Sequence, residues 1–351
     1  MSKIIKYLLR LYFLFLKTSF KMFSFKDAKV ILWIPSINIK YLISNKIVND
    51  LGWINSLSES KIKFNIVLSQ SIGKYHNKTI ILNYSRYFLE SFSFKDYSHN
   101  FYFMISQLEN QGNFVIPSSK EAKLWENKIY MTNKFSQLGI STPKTNIYNS
   151  LKEIESSDLK FPFLIKEEHS ASAKGVHKIT DKIKLRNLLN EDYFSRNSKV
   201  IVQQLLNMRR DLRVIFVGDK IVNYYWRINN EKKWKPTSTG YGSTVDFENF
   251  PEYWRSFLTN EFLKLNIYTG AFDVAWQNDN IKSTPKILEV SPNYQLNPKI
   301  SNKHDLLNYG GYKKKFFLSK RSFDYNYIEQ TFSAINSIVK LYIKRKKLNS
   351  P

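Results

Sequence analysis

Phe161-Pro-Phe-Leu-Ile-Lys-Glu-Glu-His-Ser-Ala-Ser-Ala-Lys-Gly-Val176 is the stretch of sequence that carries most information about this chain. A short apolar run ends in one lysine, Lys166, and a loop of small residues from Ser170 to Gly175 follows it. Small side chains let backbone N–H groups approach phosphate oxygens, and a lysine supplies a point charge. The stretch therefore predicts a strand and loop that bind a polyphosphate, and an ordinary surface hairpin is the alternative.

The overall composition predicts a folded protein with more than one domain. The chain has 351 residues, of which 43% are hydrophobic and 16% aromatic, and this excludes a disordered chain. Because the chain contains no cysteine, it has no disulfide scaffold, no thiolate metal site and no cysteine nucleophile. The absence of cysteine fits a reducing compartment, so we expect a cytoplasmic location.

The net charge of +25 raises the question of an acidic partner. Nucleic acids are one class of such partners, but no known nucleic-acid-binding motif occurs among the basic residues. A general bias toward lysine, asparagine and isoleucine is the simpler explanation. A nucleic-acid partner is therefore not favoured.

Both ends of the chain combine basic and apolar residues. Residues 1–25 contain five basic residues and no acidic one, and their longest uncharged run is too short to cross a bilayer. No small-residue cleavage site follows, which argues against a secretory signal. Residues 338–351 have a similar composition, again without acidic residues. Each end is predicted to form a helix that either lies on an anionic membrane surface or packs on the protein, which leaves peripheral contact with the inner face of a membrane open.

Residues 26–120 are predicted to form an α/β domain. Short apolar runs alternate with a helical segment, which is typical of a parallel sheet. No Gly-x-Gly-x-x-Gly turn follows the first run, so the dinucleotide-binding fingerprint is absent. The predicted strands are 29–35, 63–69, 78–83 and 113–117, and the predicted helix is 100–111.

A predicted hairpin from Asp211 to Arg227 carries two arginines at its open ends. Alternating apolar runs flank the turn residues Gly218 and Asp219. Arg213 and Arg227 then lie near each other and can clamp a carboxylate or a phosphate, unless they are simply solvated.

Upstream, residues 118–139 are predicted to form one helix that contains Lys128.

A second predicted hairpin carries two carboxylates, Asp273 and Glu289, within apolar strands. A buried carboxylate is unfavourable unless it is paired or bound to a cation. Two of them on adjacent strands make a hard oxygen site that suits Mg²⁺, and a pair of salt-bridged acids is the alternative.

Taken in order, these segments resemble the ATP-grasp superfamily, closest to the branch of the ribosomal-protein glutamate ligases, with glutathione synthetase and D-alanine–D-alanine ligase as relatives. The resemblance covers residues 121–298. It implies a mixed α+β fold in which two lobes over residues 121–310 hold the nucleotide between them. An N-terminal α/β pre-ATP-grasp domain would span 26–120, and a basic helical segment would span 311–351. The oligomeric state is not specified.

The resemblance also implies roles for individual residues. Arg213, Arg227 and Lys166 would be catalytic, and Asp273, Glu289, Ser291 and Asn293 would hold the metal. Two departures from the family pattern are Ala173, where glycine is common, and Ser291, where a metal-binding asparagine is common. The implied ATP-binding residues are Lys128, Lys166, Ser170, Ser172, Lys174, Gly175, Gln203, Gln204, Leu205, Leu206 and Asp211.

The implied activity is ATP-dependent ligation of a carboxylate to an amine through an acylphosphate, with ATP and Mg²⁺ as cofactors. The substrates would be small molecules or glycans that carry the carboxylate and the amine. The basic apolar ends favour modification of a cell-surface polysaccharide or glycoconjugate. Addition of an amino acid to a peptide or protein is one alternative, and a catalytically silent protein that binds nucleotide or associates with a membrane is another.

Overall fold

The computed structural model describes residues 28–34, 46–68, 73–82, 94–170, 173–231, 234–294, 296 and 325–348. The predictions for residues 1–25, for Ser172 and for residues 311–324 lie outside these ranges. Within them the protein has the predicted mixture of helices and sheets.

The first sheet is parallel, as its unbroken apolar strands predict. Its strands run in the order β2-β1-β3-β4, and every adjacent pair is parallel. All residues of β1 and β3 are buried, which explains why neither strand alternates with polar residues. The elements are β1 (Val30–Ile34), α1 (Lys46–Glu59), β2 (Phe64–Leu68), β3 (Thr79–Leu82), α2 (Phe94–Asn110) and β4 (Phe114–Ile116).

The single helix predicted over residues 118–139 is wrong, because the structure has two helices there. These are α3 (Ser119–Leu124) and α4 (Lys128–Gln137). Between them Glu126 has a left-handed backbone with a φ of 50°, which no helix can accommodate. Asn127 then starts the second helix, since its side chain accepts a hydrogen bond from the backbone N–H of Tyr130 at 3.0 Å. The break places Lys128 in the first turn of α4.

The second sheet contains the stretch quoted first. Its four strands are antiparallel in the order β5-β8-β6-β7, and the strand, loop and strand around Lys166 form the hairpin of β6 and β7. One face packs on three short helices around the buried Tyr193. The elements are β5 (Thr145–Tyr148), α5 (Leu151–Glu155), β6 (Phe163–Lys166), β7 (Val176–Ile179), α6 (Lys182–Leu188), α7 (Glu191–Arg196) and β8 (Val200–Gln204).

The third sheet contains both predicted hairpins and has two different faces. Its antiparallel strands run in the order β11-β10-β9-β12-β13. One face packs on α8 (Arg255–Lys264), where Phe216 stacks on Phe262 with ring centroids 4.5 Å apart. The other face carries the charged residues of both hairpins. The strands are β9 (Arg210–Val217), β10 (Lys220–Ile228), β11 (Thr244–Asp246), β12 (Thr269–Ala275) and β13 (Lys286–Ser291).

The C-terminal helix α9 (Tyr325–Leu348) packs on the body of the protein. Its residues Ala334, Ile335, Ile338 and Val339 are buried in a core that they share with β1, α1 and β9. The Tyr342 hydroxyl also hydrogen-bonds the Thr79 side chain at 2.6 Å. This apolar face is therefore not available to a membrane surface. Among the residues that the structure describes, no helix has the length and apolar character needed to cross a bilayer.

Candidate active site

A cavity of about 530 Å³ lies between the second and third sheets. The second sheet contributes Lys166 and Gln203 from its open face, and the third sheet contributes its charged face. Asn49 of α1 and Trp125, just before α4, complete the wall on the side of the first domain. The cavity thus brings together side chains that are up to 245 positions apart in the chain, from Asn49 to Tyr294.

Two buried lysines enter the cavity from different elements. Lys128 Nζ donates to the Ser170 carbonyl at 2.5 Å and to the Ser170 hydroxyl at 3.1 Å. The Lys128 backbone N–H also donates to the Glu168 carbonyl at 3.0 Å, so the start of α4 is fixed to the loop after β6. Lys166 ends β6, and its Nζ lies 3.4 Å from the Leu288 carbonyl on the opposite wall. The two ammonium groups face a region where a polyphosphate can neutralise both.

The environment of Lys166 disfavours its charge. The pKa of Lys166 is lowered to about 8, mainly by burial and also by Lys128, while Glu289 and Asp273 offset part of the shift. An anionic ligand would restore the ordinary pKa. The buried Lys166 ammonium therefore favours the binding of an anion such as a phosphate group in this cavity.

The loop between β6 and β7 is shaped by close backbone packing. Ala173 has a φ of 61°, a conformation in which glycine is preferred, so the first departure from the family pattern falls where the backbone is left-handed. Gly175 is buried against Ser170 and Glu167. Ser170 and Ala173 line the cavity, but Lys174 is exposed and does not.

The segment from Gln203 to Leu206, which is predicted to bind ATP, lies along the cavity wall. Gln203, Gln204, Leu205 and Leu206 all line it, and the Gln203 amide is held by a 3.0 Å hydrogen bond to the Thr145 hydroxyl. A β-bulge in β13 lets Leu288 line the cavity as well, because Asp273 pairs with Glu289 and Val274 with Ile287. These residues form a partly apolar slot that suits a flat base.

The arginines and aspartates of the third sheet form a chain of ion pairs. Arg213 Nε and Nη2 donate to both Asp273 oxygens at 2.8 and 2.9 Å. Arg227 Nη2 lies 2.9 Å from Asp273 Oδ2, and its guanidinium also binds Asp211 through Nε and Nη2. Burial acts to raise the pKa of Asp273, but the two arginines hold it well below its usual range. Asp211, a predicted ATP-binding residue, lines the cavity, and its carboxylate is bound to Arg227.

The predicted metal ligands are on one wall. Asp273 and Glu289 are directly opposite on β12 and β13, so their side chains are on the same face, and Ser291 follows two residues later. Within the described residues Glu289 forms no hydrogen bond or ion pair, and no cluster of three or more His, Cys, Asp or Glu is present. Two carboxylates with a hydroxyl and the Asn293 amide fit Mg²⁺, which uses one or two carboxylates plus substrate phosphates.

Several cavity residues were not predicted from the sequence. The clearest group is the segment from Trp234 to Thr239, whereas the nearby Tyr241 is exposed outside the lining. Tyr225 was treated only as a strand residue, although its period-two spacing from Arg227 puts it on the same face. The other unpredicted lining residues are Asn49, Trp125, Glu126, Leu164, Val176, Met208, Leu288 and Tyr294.

Sequence comparison relates one part of the chain to a known family. Residues 125–244 match the family model of the RimK-like ATP-grasp domain. No curated protein matches the chain.

Solved structures share the fold at low sequence identity. A D-alanine–D-alanine ligase from Bacillus anthracis with ATP is 13% identical with a TM-score of 0.55, over 90% of this chain and 98% of that chain. A RimK domain protein from Sphaerobacter thermophilus is 11% identical with a TM-score of 0.53, over 89% and 99%. The ATP-grasp ligase PsnB with its minimal precursor, Mg and ADP is 10% identical with a TM-score of 0.51, over 82% and 99%. Residues 125–244 thus match a RimK-like ATP-grasp domain, and the chain shares its fold with solved ATP-grasp ligases.

Proposed function

We propose that this protein is an ATP-dependent carboxylate–amine ligase that modifies a cell-surface polysaccharide or glycoconjugate. ATP-grasp ligases form C–N bonds with ATP and Mg²⁺ and release ADP, which is the enzyme class and the cofactor pair that the sequence predicts. The observation that carries the proposal is the cavity itself. It places two buried lysines opposite two adjacent carboxylates, which is what a metal-bound triphosphate requires.

In the first step an oxygen of the substrate carboxylate attacks the γ-phosphorus, and the bond to the β-phosphate oxygen breaks to give an acylphosphate and ADP. In the second step the amine attacks the acyl carbon, phosphate leaves, and the nitrogen loses a proton. Mg²⁺ held by Asp273 and Glu289 would neutralise charge on the phosphates. Lys128 and Lys166 would orient the phosphates, and the loop from Ser170 to Gly175 would exclude water from the labile acylphosphate.

Arg213 and Arg227 would bind the substrate carboxylate or the transferring phosphoryl group. In this structure the Asp273 carboxylate forms ion pairs with both guanidinium groups. A metal ion that binds Asp273 would compete with the arginines for its oxygens, so the arginines would gain free donors when the metal binds. The two guanidinium groups would then become free to bind an anion only after the nucleotide and the metal have bound.

The chemistry of the cavity wall supports a polyhydroxylated acceptor. Trp234 and Tyr294 offer aromatic surface, and the segment from Thr237 to Thr239 offers three hydroxyl groups. Peripheral contact with an anionic membrane would bring the protein close to a lipid-linked glycan; this part of the proposal rests on the composition of residues 1–25. Addition of an amino acid to a peptide or protein is the second candidate, and the fold shared with PsnB supports it.

Calorimetric titration with ATP, with and without Mg²⁺, tests the proposal. Glu289→Gln is the most informative variant, because Glu289 forms no ion pair among the described residues and its loss should leave the fold intact. We expect ATP binding that requires Mg²⁺ and that Glu289→Gln weakens by about 10- to 100-fold, the value of a charge-assisted contact. Glu191→Gln, an exposed carboxylate on α7, is the matched control and should bind like the wild type.

A screen of carboxylate and amine pairs for phosphate release then separates a ligase from a silent nucleotide-binding protein. Release with uronic acids would support the glycan proposal, and release with a peptide acceptor would support the alternative. ATP binding that does not depend on Glu289 would refute the metal assignment. Absence of ATP binding would refute the proposed function.

A further inference from the structure

The hydroxyl of Tyr225 is a polar group in the cavity to which the proposed reaction assigns no role. Tyr225 is 2% exposed and lines the cavity from β10, while its ring packs in the shared core near Phe247, with ring centroids 5.8 Å apart. Among the residues that the structure describes, no hydrogen-bond partner is present for this hydroxyl. Because Tyr225 lines the cavity, a bound ligand can supply the hydrogen-bond partner that the described residues do not.

The position of Tyr225 on the sheet indicates what that ligand is. Tyr225 is directly opposite Arg213, and Arg213 is directly opposite Asp273, so the three side chains form one row across β10, β9 and β12. Two strand spacings, about 10 Å, separate Tyr225 from Asp273. Tyr225 therefore shares one face of the sheet with Arg213 and with Asp273, the predicted metal ligand.

The charges around Tyr225 define the ligand further. Its charged neighbours are Arg213, Arg227, Asp211 and Asp273, and the two aspartates are already bound to the two arginines. Burial raises the pKa of Tyr225, so the phenol keeps its proton and acts as a donor. A neutral donor beside a guanidinium is suited to an anionic oxygen.

We propose that Tyr225 is a substrate-positioning residue whose hydroxyl, together with the Arg213 guanidinium, binds an oxygen of the substrate carboxylate. This inference rests on the proposed ligase function and extends it by assigning the carboxylate subsite to one row of the third sheet. A carboxylate fits this subsite because its oxygens can accept from the hydroxyl and from the guanidinium together, whereas an apolar group accepts from neither.

Trifluoroacetate is a suitable probe, because it is a small carboxylate whose binding is followed by ¹⁹F NMR. It is titrated into the full chain in the presence of Mg²⁺ and the non-hydrolysable β,γ-imido analogue of ATP. We expect saturable binding that acetate competes for and that Tyr225→Phe weakens by about tenfold, the value of one hydrogen bond to a charged group. Tyr224→Phe is the matched control, since it removes the same hydroxyl from the neighbouring residue, which packs on Phe250 on the opposite face.

Affinity for the ATP analogue is measured in the same samples and reports on the fold and on the nucleotide site. If Tyr225→Phe binds the analogue normally but loses trifluoroacetate, the assignment is supported. Equal trifluoroacetate affinity in the wild type and in Tyr225→Phe would overturn the assignment and leave the proposed ligase function intact. If the wild type does not bind the analogue, both the inference and the function on which it rests fail.

Discussion

Lys166 shows how the fold changes the chemistry of a single residue. Its ammonium group is buried between two sheets, and burial, with a smaller contribution from Lys128, lowers its pKa to about 8. The nucleotide-free protein therefore loses this positive charge as the pH rises through about 8. Phosphate groups stabilise the protonated form, so the complex keeps the charge to higher pH. Binding then becomes coupled to proton uptake above pH 8.

We expect ATP affinity in the presence of Mg²⁺ to fall about tenfold between pH 7 and pH 9, because the protonated fraction of Lys166 falls by about that factor. Calorimetry at several pH values measures this dependence. Lys166→Arg provides the control, since a guanidinium stays protonated throughout this range, and its affinity should vary much less with pH. An unchanged wild-type affinity, or an equal decline in Lys166→Arg, would contradict the assignment of the pH dependence to Lys166.

At the scale of elements, the loop between β6 and β7 depends on the absence of a side chain at Gly175. A Cβ atom there would lie 2.4 Å from Ser170 Oγ and 2.8 Å from Glu167 Cβ. Ser170 cannot move freely, because its carbonyl and hydroxyl both accept from Lys128 Nζ. An added methyl group must therefore displace the loop, Lys128 or both.

Gly175→Ala should weaken ATP binding, because the proposed function places the loop and Lys128 at the phosphates. Overpacking of this kind has a strain energy of about 1–3 kcal/mol. We expect most of this strain energy to appear as a loss of ATP-binding free energy, which calorimetry measures. Gly73→Ala is the control, since its Cβ would have 3.9 Å to its nearest heavy atom, and it should leave ATP affinity unchanged. Normal affinity of Gly175→Ala would show that the loop does not contact the nucleotide.

The same elements show what the sequence predicts and what it does not. Hairpin signals and charged residues in apolar strands predicted β6–β7, β9–β10 and the cross-strand neighbours Asp273 and Glu289, because these features are local. The break before Lys128 was missed because the left-handed residue is Glu126 rather than glycine. The binding of Asp273 by two arginines from neighbouring strands depends on sheet register, which no local pattern specifies.

At the scale of the whole molecule, the C-terminal helix connects the first domain to the third sheet. Besides its buried apolar face, α9 makes two further contacts with the region of the third sheet. The Arg345 guanidinium lies over the Tyr268 ring, 4.6 Å from its centroid, and the Leu341 side chain packs against Gly218 at the turn between β9 and β10. Two of its basic residues, Lys340 and Lys344, are exposed. The amphipathic pattern that is typical of a membrane-surface helix is therefore satisfied by packing within the protein.

This packing predicts that α9 stabilises the protein in the absence of any membrane. Ile338→Ala should lower the free energy of unfolding, measured by urea denaturation without lipid, by about 2–5 kcal/mol, because it leaves a cavity between α9, α1 and β9. Lys340→Ala is the control, because Lys340 is exposed on the same helix, and it should change the free energy of unfolding by less than about 0.5 kcal/mol. If Ile338→Ala had no effect in water but reduced binding to anionic vesicles, the apolar face would be serving a membrane rather than the core, and the ends of the chain would then act together as a surface anchor.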